Sequence, residues 1–443
     1  MEQLGLINKD VAAIDVGSEK MHVSIRGNTA RVFGTMTVDL TRLVEWLKAE
    51  GVKSVAMEAT GVYWIYIYGQ LEEAGLGVIA VNGKYVKNLP GRKSDMSDPQ
   101  WLATAHAHGM LRGGFVPSAE IRRLQDYLRL RQDHIAMAAS HVQHMQKALE
   151  RMNIKFHDVI SSLTGISGQK VIRAILNGER DPQRLLNLCD VQIQNKKADQ
   201  VKESLRGIWR QEHLFALKQA VAGWDFYQMQ IQECDNQIHQ VLEQLSGPIH
   251  EGDHDKGAGK PGGINAPRIE GLHQMLIQLC GGKDLTKLPG VGDYSLLLLL
   301  GEVGLDLSKW PTEKHFTAWL GLAPSVASSG KRRRRERRHP NHAGRLFCNL
   351  ARSLAQSVDK GLGGFYRRLK GRRGGLVANK ALARKIAVLF WRMMVHGTDY
   401  VEHGLKKYNE RVAQSEKFLL RKLARKYGLT LIPDNNNLQT VHG

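Results

Sequence analysis

Four carboxylates in the first part of the chain suit the binding of a hard metal ion. Asp15 and Glu58 each lie at the end of a largely apolar run, and Asp95 and Asp98 form a D-x-x-D pair just before a helical pattern. A carboxylate in a buried strand is unfavourable unless a cation or a hydrogen-bond donor offsets its charge. The four acids therefore predict one shared site for Mg²⁺ or Mn²⁺, which prefer oxygen ligands, and not for zinc.

Each acid also has a structural interpretation. Asp15 could serve the turn before Gly17, Asp95 could be a solvated loop residue, and Asp98 before a proline has the sequence of a helix N-cap. Glu58 is the hardest to explain in this way because it interrupts a buried strand. The metal site is favoured because all four acids match one known arrangement.

The elements that would position these acids follow the order β-β-β-α-β-α-β-α. Apolar alternation and turn residues predict the strands, and helical periodicity predicts the helices. The strands are at 11–16, 21–26, 30–38, 54–59 and 76–81, and the helices are at 40–50, at 62–74 and from 98 onward. In an RNase H-like α/β domain, which has this order, the acids lie on the first strand, the fourth strand and the closing helix. We therefore predict such a domain over residues 8–115.

The rest of the chain has mainly helical patterns, so the predicted fold class is α/β plus all-α. Apolar residues at helical spacing over 120–152 and 199–245 predict a long antiparallel helical pair, within a helical insertion over residues 116–245. A polar stretch rich in Gly and Pro predicts a flexible linker over 246–268. A mainly helical domain at 269–400 and a basic helical tail at 401–443 follow.

The charge of the chain points to a nucleic-acid partner. The 443 residues contain 63 Lys and Arg against 43 Asp and Glu, which gives a formal charge of +20. A protein this basic usually binds nucleic acid, and a merely basic or ribosome-associated protein is the alternative.

Cysteine usage and apolar runs bear on the compartment. The four cysteines are scattered without a C-x-x-C pair, which favours reduced thiols over disulfides or a zinc site. No apolar run is long enough to span a membrane, and the N-terminus lacks the pattern of a signal peptide. We expect a cytoplasmic protein with no membrane partner.

A glycine motif in the second half has the signature of a helix-hairpin-helix. Leu288-Pro289-Gly290-Val291-Gly292 stands between two helical patterns. The bare backbone at Gly290 and Gly292 would let N–H groups approach a DNA phosphate. A plain tight turn between helices is the alternative.

A second motif places serines beside a dense basic run. Ser328, Ser329 and Gly330 follow an apolar helical pattern and form a predicted turn that leads directly into the run. A serine held among guanidinium groups is well placed to meet a phosphodiester. The local sequence alone slightly favours a polar loop with a charge run that binds nucleic acid. The basic residues are Lys331, Arg332, Arg333, Arg334, Arg335, Arg337 and Arg338.

The chain resembles the DEDD transposases of bacterial insertion sequences, the group that includes the Piv-type DNA invertases and the bridge-RNA-guided recombinases. In the first half the resemblance rests on Ile14-Asp15-Val16-Gly17, Met57-Glu58-Ala59-Thr60-Gly61 and Lys93-Ser94-Asp95-Met96-Ser97-Asp98. In the second half it rests on the glycine motif and on Gly321-Leu322-Ala323-Pro324 with Ser329-Gly330-Lys331. After Lys331 the chain departs from many members, because a basic run replaces a Gly-Arg-Ile-Ser-Lys-x-Gly-Asn-like stretch.

The resemblance implies a RuvC-like domain with a helical insertion, followed by a transposase domain with a serine nucleophile. It assigns the metal-binding acids to Asp15, Glu58, Asp95 and Asp98, and the nucleophile to Ser329. It further implies a bacterial homo-oligomer, a dimer or a tetramer, that acts on donor and target DNA and carries a non-coding bridge RNA as guide. The alternative is a RuvC-like nuclease or junction resolvase that uses water, and a non-catalytic basic scaffold is a rival of another class.

Overall fold

The computed structural model describes most of the chain, which divides into two compact units. The described residues are 5–59, 61–83, 86, 97–247, 263–324, 327–329, 332–334, 339–356, 361–397, 410, 413–414 and 417–431. The units comprise Met1–Ala119 and Glu120–Gly443. A mixed sheet belongs to the first unit, and helices make up most of the second.

A five-stranded sheet forms the centre of the first unit. Its strands are β1 (Val11–Val16), β2 (Lys20–Ile25), β3 (Arg31–Gly34), β4 (Ser54–Glu58) and β5 (Gly77–Val81). They lie in the order β3-β2-β1-β4-β5. The pairs β3–β2 and β2–β1 are antiparallel, and the pairs β1–β4 and β4–β5 are parallel. This is the sheet of an RNase H-like fold, and the predicted order of strands and helices is confirmed.

Helices cover both faces of this sheet. They are α1 (Thr37–Ala49), α2 (Trp64–Glu73) and α3 (Asp98–Ala107). Leu43 of α1 and Ile67 of α2 pack with Ile14 on one face. Trp101 of α3 packs with Ala13 on the other face. Both faces are therefore apolar, which accounts for the nearly continuous apolar sequence of β1 and β4.

The third strand is shorter than the sequence pattern predicts. The pattern extends over 30–38, but the strand covers Arg31–Gly34 and the chain turns into α1 after Met36. The Met36 carbonyl accepts hydrogen bonds from the backbone N–H groups of Asp39 and Leu40 at 2.8 and 3.1 Å, which starts the helix. The prediction of a strand beyond Gly34 is therefore wrong.

The second unit is mainly helical. It contains α4 (Ala119–Arg151), α5 (Phe156–Val159), α6 (Ile166–Leu176), α7 (Pro182–Asn187), α8 (Val191–Ser204) and α9 (Gln211–Ser246). After residues 248–262, which lie outside the described part, come α10 (Leu272–Leu279), α11 (Asp293–Val303), α12 (Glu313–Trp319), α13 (His342–Ala355), α14 (Leu362–Arg373) and α15 (Gly375–His396). Among the described residues, no helix is long and apolar enough to cross a membrane.

The second long helical segment is interrupted where the sequence pattern predicts one continuous helix over 199–245. α8 ends at Ser204 and α9 begins at Gln211. Between them the Ile208 N–H donates to the Met152 carbonyl at 2.7 Å, and Gly207 lies so close to Met152 that a Cβ would stand 2.8 Å from its carbonyl oxygen. The break is made by this pairing with the end of α4, so the prediction of one helix is wrong.

A buried ion pair joins the two long helices. Arg131 of α4 and Asp235 of α9 are 1% and 2% exposed, and they form a salt bridge. Arg131 also donates to the Asn265 carbonyl at 2.9 Å and to the Tyr294 hydroxyl at 3.1 Å, and Asp235 accepts the Arg268 N–H at 3.1 Å. Both charges are therefore satisfied, and the end of the predicted flexible linker is anchored to the helices.

Asp235→Asn should destabilise the second unit by about 3–5 kcal/mol, because it leaves the buried Arg131 charge without its partner. Asp225→Asn is the matched control, since Asp225 pairs with Arg173 where both side chains are more than 40% exposed. The control should change stability by less than about 1 kcal/mol. Urea unfolding of both variants measures the difference, and equal losses would show that the Arg131–Asp235 pair contributes no more than a surface pair.

Candidate active site and nucleic-acid interface

Two of the predicted metal ligands lie side by side on neighbouring parallel strands. β1 and β4 pair in register up to Ile14 and Met57, and the next residues along the strands are Asp15 and Glu58. Both acids are half-buried. Neighbouring strands are roughly 4.8 Å apart. The side chains of Asp15 and Glu58 are therefore attached at adjacent positions on β1 and β4.

Both carboxylates lie on the face that α3 covers. Successive residues of a strand alternate between faces. Ala13 and Ala56, two residues before the acids, pack with Trp101 of α3, whereas the intervening residues pack with α1 and α2. Asp15 and Glu58 therefore point to the α3 side of the sheet.

The third predicted acid, Asp98, lies in the first turn of α3. Near its C-terminal end, His106 Nε2 lies 2.8 Å from the Ser54 hydroxyl oxygen at the start of β4. The helix from Asp98 to His106 spans roughly 12 Å. Asp98 therefore lies at the end of α3 that is remote from the Ser54 contact, and between these ends Gln100 and Thr104 lie against Gly27, just after β2.

A contact with β4 holds one end of α3, and a capping box closes the other end. His106 is 2% exposed, and burial lowers its pKa, so it meets Ser54 as a neutral imidazole at neutral pH. At the other end the Gln100 side-chain oxygen accepts the Ser97 N–H at 3.1 Å and the Ser97 hydroxyl at 2.7 Å. The N-cap is therefore Ser97, and the structural interpretation of Asp98 as the cap is wrong. As an acid in the first turn, Asp98 is favoured by the helix dipole.

A residue that sequence reasoning missed contacts one of the acids. Gly83 follows β5, and the Glu58 carboxylate occupies the space that a Cβ on Gly83 would fill. The only signal in the sequence is Asn82-Gly83 at the end of a strand, which predicts a turn and no chemistry. Asp95, the remaining predicted ligand, lies outside the described residues.

Within the described part of the chain, one group of three side chains brings its ligand atoms within 4.8 Å of one another, and it lies elsewhere. It consists of Glu150, His157 and Asp158, at the end of α4 and in α5. Lys155 donates to Glu150, and this hydrogen bond holds the Glu150 pKa below its usual value. The group is therefore an ion-pair network in which an ammonium already supplies the positive charge. Asp15, Glu58 and Asp98 are less tightly gathered.

The glycine motif forms the predicted turn between helices. A 3₁₀ turn at Leu285–Lys287 precedes it, and α11 follows. Gly290 has φ of 81°, in the left-handed region, and a Cβ there would lie 3.6 Å from Leu354 Cβ of α13. At Gly292 no atom lies within 4 Å of the corresponding position. Gly290 thus serves the turn and its packing, and Gly292 leaves open space for a ligand.

The start of α11 already carries a carboxylate. Asp293 is in the first turn, and its side chain lies 2.7 Å from His273 Nδ1. A phosphate directly at this helix end would meet that negative charge. A phosphate contact by the glycine motif would therefore involve the turn more than the helix end.

Ser329 lies on a strand, where the sequence predicts a turn. β6 (Ala327–Ser329) pairs antiparallel with β7 (Arg332–Arg334), and Ser329 stands opposite Arg332 in the register. Ser328 and Ser329 are therefore strand residues at the end of a short hairpin. The other predicted basic contacts, Lys331, Arg335, Arg337 and Arg338, lie outside the described residues.

The segment that carries this hairpin, residues 321–340, begins and ends at one place in the second unit, and we call it the serine arm. The Asn341 N–H donates to the Leu320 carbonyl at 3.3 Å, and the Asn341 side-chain amide donates to the Trp319 carbonyl at 3.1 Å. Gly321, with φ of 69°, lies against the returning chain so closely that a Cβ would collide with its backbone. The base of the serine arm is therefore closed.

A partly buried ionic group fixes the helix that follows the serine arm. Glu302 of α11 accepts two hydrogen bonds from Arg129 at 3.1 and 3.0 Å, and His342 Nδ1, at the start of α13, lies 3.0 Å away. Burial alone would raise the pKa of Glu302, but His342 and Arg129 outweigh it and the net shift is downward. Glu302 therefore stays ionised at neutral pH, and its stabilising contribution is lost only as pH falls through this lowered pKa.

Comparison with known protein families gives two matches. Residues 12–154 match a DEDD transposase domain of the IS110 type, and residues 282–367 match the transposase IS116/IS110/IS902 family. The matches together cover just over half of the chain and include parts of both units. No curated protein matches the chain.

An RNase H-like sheet followed by a helical unit, with these two matches, defines a DNA-cutting recombinase of the transposase class. The chain belongs to the IS110 family of DEDD transposases. The resemblance seen in the sequence is confirmed. Domains of the DEDD type generally act with a divalent metal ion.

Replacing four arginines among Arg332, Arg333, Arg334, Arg335, Arg337 and Arg338 with glutamine should weaken nucleic-acid binding and flatten its salt dependence. Each lost phosphate contact removes a slope of roughly −0.9 in log K against log salt. Titration of labelled duplex DNA at several salt concentrations measures the slope.

The control for this experiment removes the same number of positive charges elsewhere. Arg42, Arg184, Arg206 and Arg210 are exposed and already pair with carboxylates. Their replacement should leave the slope close to that of the wild-type protein. An unchanged slope in the arm variant, or an equal change in both variants, would show that the basic run is only a solvated surface.

Proposed function

We propose that the protein cuts and rejoins DNA to move its own insertion sequence, with a metal site formed by Asp15, Glu58, Asp95 and Asp98 and with Ser329 as the nucleophile. The observation that supports the metal site is the register of β1 and β4, which carries Asp15 and Glu58 at one level on the face that α3 covers. Support for the serine comes from its position in the family motif and beside Arg332.

Mg²⁺, or Mn²⁺ in its place, fits these residues because carboxylate oxygens are the hard ligands that such ions prefer. When bound there, the ion would polarise the scissile phosphate and assist the attacking hydroxyl. The fold serves to position the carboxylates that would bind the ion. Asp15 and Glu58 are carried on strands with a buried apolar core, and α3 is held on the sheet by Trp101 and by the contact between His106 and Ser54.

Ser329 would supply the attacking oxygen. Its Oγ forms a bond to phosphorus and gives its proton to a nearby acceptor, while the bond between phosphorus and one deoxyribose oxygen breaks and that oxygen takes up a proton. The resulting phosphoserine is itself a phosphodiester. A deoxyribose hydroxyl of another strand can therefore attack it and release the serine, which rejoins the DNA without a separate energy source.

Nucleic acids are the partners in this proposal. Donor and target DNA are the substrates, a non-coding guide RNA is a second partner, and the active form is a homo-oligomer, a dimer or a tetramer. The formal charge of +20 supports binding to both kinds of nucleic acid. The guide RNA and the oligomer rest on the family resemblance.

Asp15→Ala and Glu58→Ala should each abolish metal-dependent DNA cleavage and leave the fold intact, because both acids are half-buried at the sheet edge. Loss of one carboxylate also relieves repulsion among the acids, so the metal-free variants should unfold at the wild-type temperature or above it. Cleavage of labelled DNA and thermal unfolding measure the two effects.

Asp10→Ala is the control for the metal site. Asp10 stands just before β1, and its carboxylate pairs with Lys53 at 3.0 Å. This variant should cleave DNA at the wild-type rate. Wild-type cleavage by Asp15→Ala or Glu58→Ala with Mg²⁺ present would show that these acids are not ligands.

Ser329→Ala should bind DNA but form no covalent protein–DNA adduct, whereas Ser325→Ala and Ser328→Ala should form it. Ser329→Cys should retain some activity because a thiolate can attack phosphorus, although sulfur matches Mg²⁺ poorly. Reactions stopped with denaturant, followed by mass spectrometry of the labelled peptide, locate the adduct. An adduct on Ser328 would overturn the assignment, and nicked DNA with no adduct would favour the nuclease that uses water.

A further inference from the structure

We propose that Gly83 is a positioning residue for the metal site, because its missing side chain leaves the space in which the Glu58 carboxylate is held. This inference rests on the proposed function of Glu58 as a metal ligand. Gly83 touches neither DNA nor metal in this proposal, and it acts only through Glu58.

The register of β4 and β5 explains why these two residues meet. Glu58 stands opposite Val81, and the Ala59 N–H donates to the Val81 carbonyl at 3.0 Å. Val81 is 1% exposed and belongs to the core on the α3 side of the sheet. Gly83 is two residues further along the chain, so it follows Val81 at the edge toward which the Glu58 side chain extends.

The contact leaves no room for any side chain at position 83. A Cβ built on Gly83 would stand 2.9 Å from Glu58 Oε2 and closer still to Oε1 and Cδ. Carbon and oxygen atoms that are not bonded do not approach this closely. No other atom is among the three nearest to this position, so the Glu58 carboxylate is what excludes a side chain.

The backbone of Gly83 does not itself require glycine. Its φ lies outside the left-handed region, unlike that of Gly61 or Gly75. An alanine at position 83 is therefore compatible with the local backbone. The colliding atoms are the far end of a flexible side chain, so the strain is relieved when the Glu58 carboxylate rotates away. The expected effect is displacement of one ligand with little change in the fold.

Gly77 provides a matched control on the same chain segment. It is the first residue of β5, it is exposed, and a Cβ there would make only ordinary contacts, the nearest at 3.5 Å from the Lys53 carbonyl oxygen. Gly77→Ala therefore introduces the same methyl group near the other end of the strand without touching an acid.

The experiment measures binding of Mn²⁺ alone to the full-length protein by electron paramagnetic resonance, together with thermal unfolding without metal. Gly83→Ala should lower the Mn²⁺ affinity by about 10- to 100-fold, the range found when a residue that orients a metal ligand is lost. Its unfolding temperature without metal should match that of wild-type protein and of Gly77→Ala.

A second variant tests whether the effect passes through Glu58. Glu58→Asp shortens the side chain by one methylene group and draws the carboxylate back from position 83. The double variant Gly83→Ala/Glu58→Asp should therefore bind Mn²⁺ no more weakly than Glu58→Asp alone, so the alanine costs affinity only when the longer side chain is present.

The outcomes separate this inference from the proposed function. If Glu58→Ala binds Mn²⁺ as tightly as wild-type protein, the metal site itself is wrongly assigned, and the role of Gly83 falls with it. If Glu58→Ala loses affinity but Gly83→Ala does not, only the role of Gly83 is overturned. A further outcome is that Gly83→Ala lowers the Mn²⁺ affinity equally in the wild-type and the Glu58→Asp protein, or lowers the unfolding temperature without metal. Either result would also overturn this role, because Gly83 would then be a structural residue.

Discussion

The packing of α3 across the parallel strands is the interaction on which the candidate metal site depends. Asp15 and Glu58 need only the register of β1 and β4, but Asp98 comes from a helix that could slide along the sheet. Trp101, 1% exposed, and the His106–Ser54 hydrogen bond fix that helix at two points. A slip of one helical turn would move Asp98 by about 5.4 Å. The apolar core thus determines the geometry of the charged groups at its edge.

The second unit carries the proposed nucleophile on a segment whose base is anchored by hydrogen bonds. The serine arm is closed at its base by Asn341, and the Glu302 group fixes the start of the next helix. Within the arm, the described part is a hairpin of two three-residue strands, which is too small to be stable alone. Substitutions in the hairpin should therefore change chemistry more than stability, and substitutions at the base should do the reverse.

The sequence was sufficient for features that depend on local patterns and insufficient for those that depend on distant contacts. β1 and β4 could be predicted almost to the residue because apolar runs and neighbouring polar residues bound them, and the acids Asp15 and Glu58 came with them. The interruption between α8 and α9 near Gly207 could not be predicted, since it is made by a hydrogen bond to Met152, which is distant in the sequence. The buried pairing of Arg131 with Asp235 could not be predicted either, because in the sequence each residue looks like an ordinary charged residue on the solvent-exposed face of a helix. Gly83 had the sequence of an ordinary turn, and only the fold brings it to Glu58.

In the proposed site, several carboxylates share one end of a stable sheet. Like charges held close together oppose folding, so their repulsion must be offset by the rest of the unit. The buried strands contribute apolar burial, and the first turn of α3 gives Asp98 the favourable end of a helix dipole. A cation that binds only the folded unit adds stability according to its concentration and affinity. Metal binding is then coupled to the arrangement of these carboxylates. A substitution that misplaces a single carboxylate should therefore lower metal affinity without destabilising the apolar core.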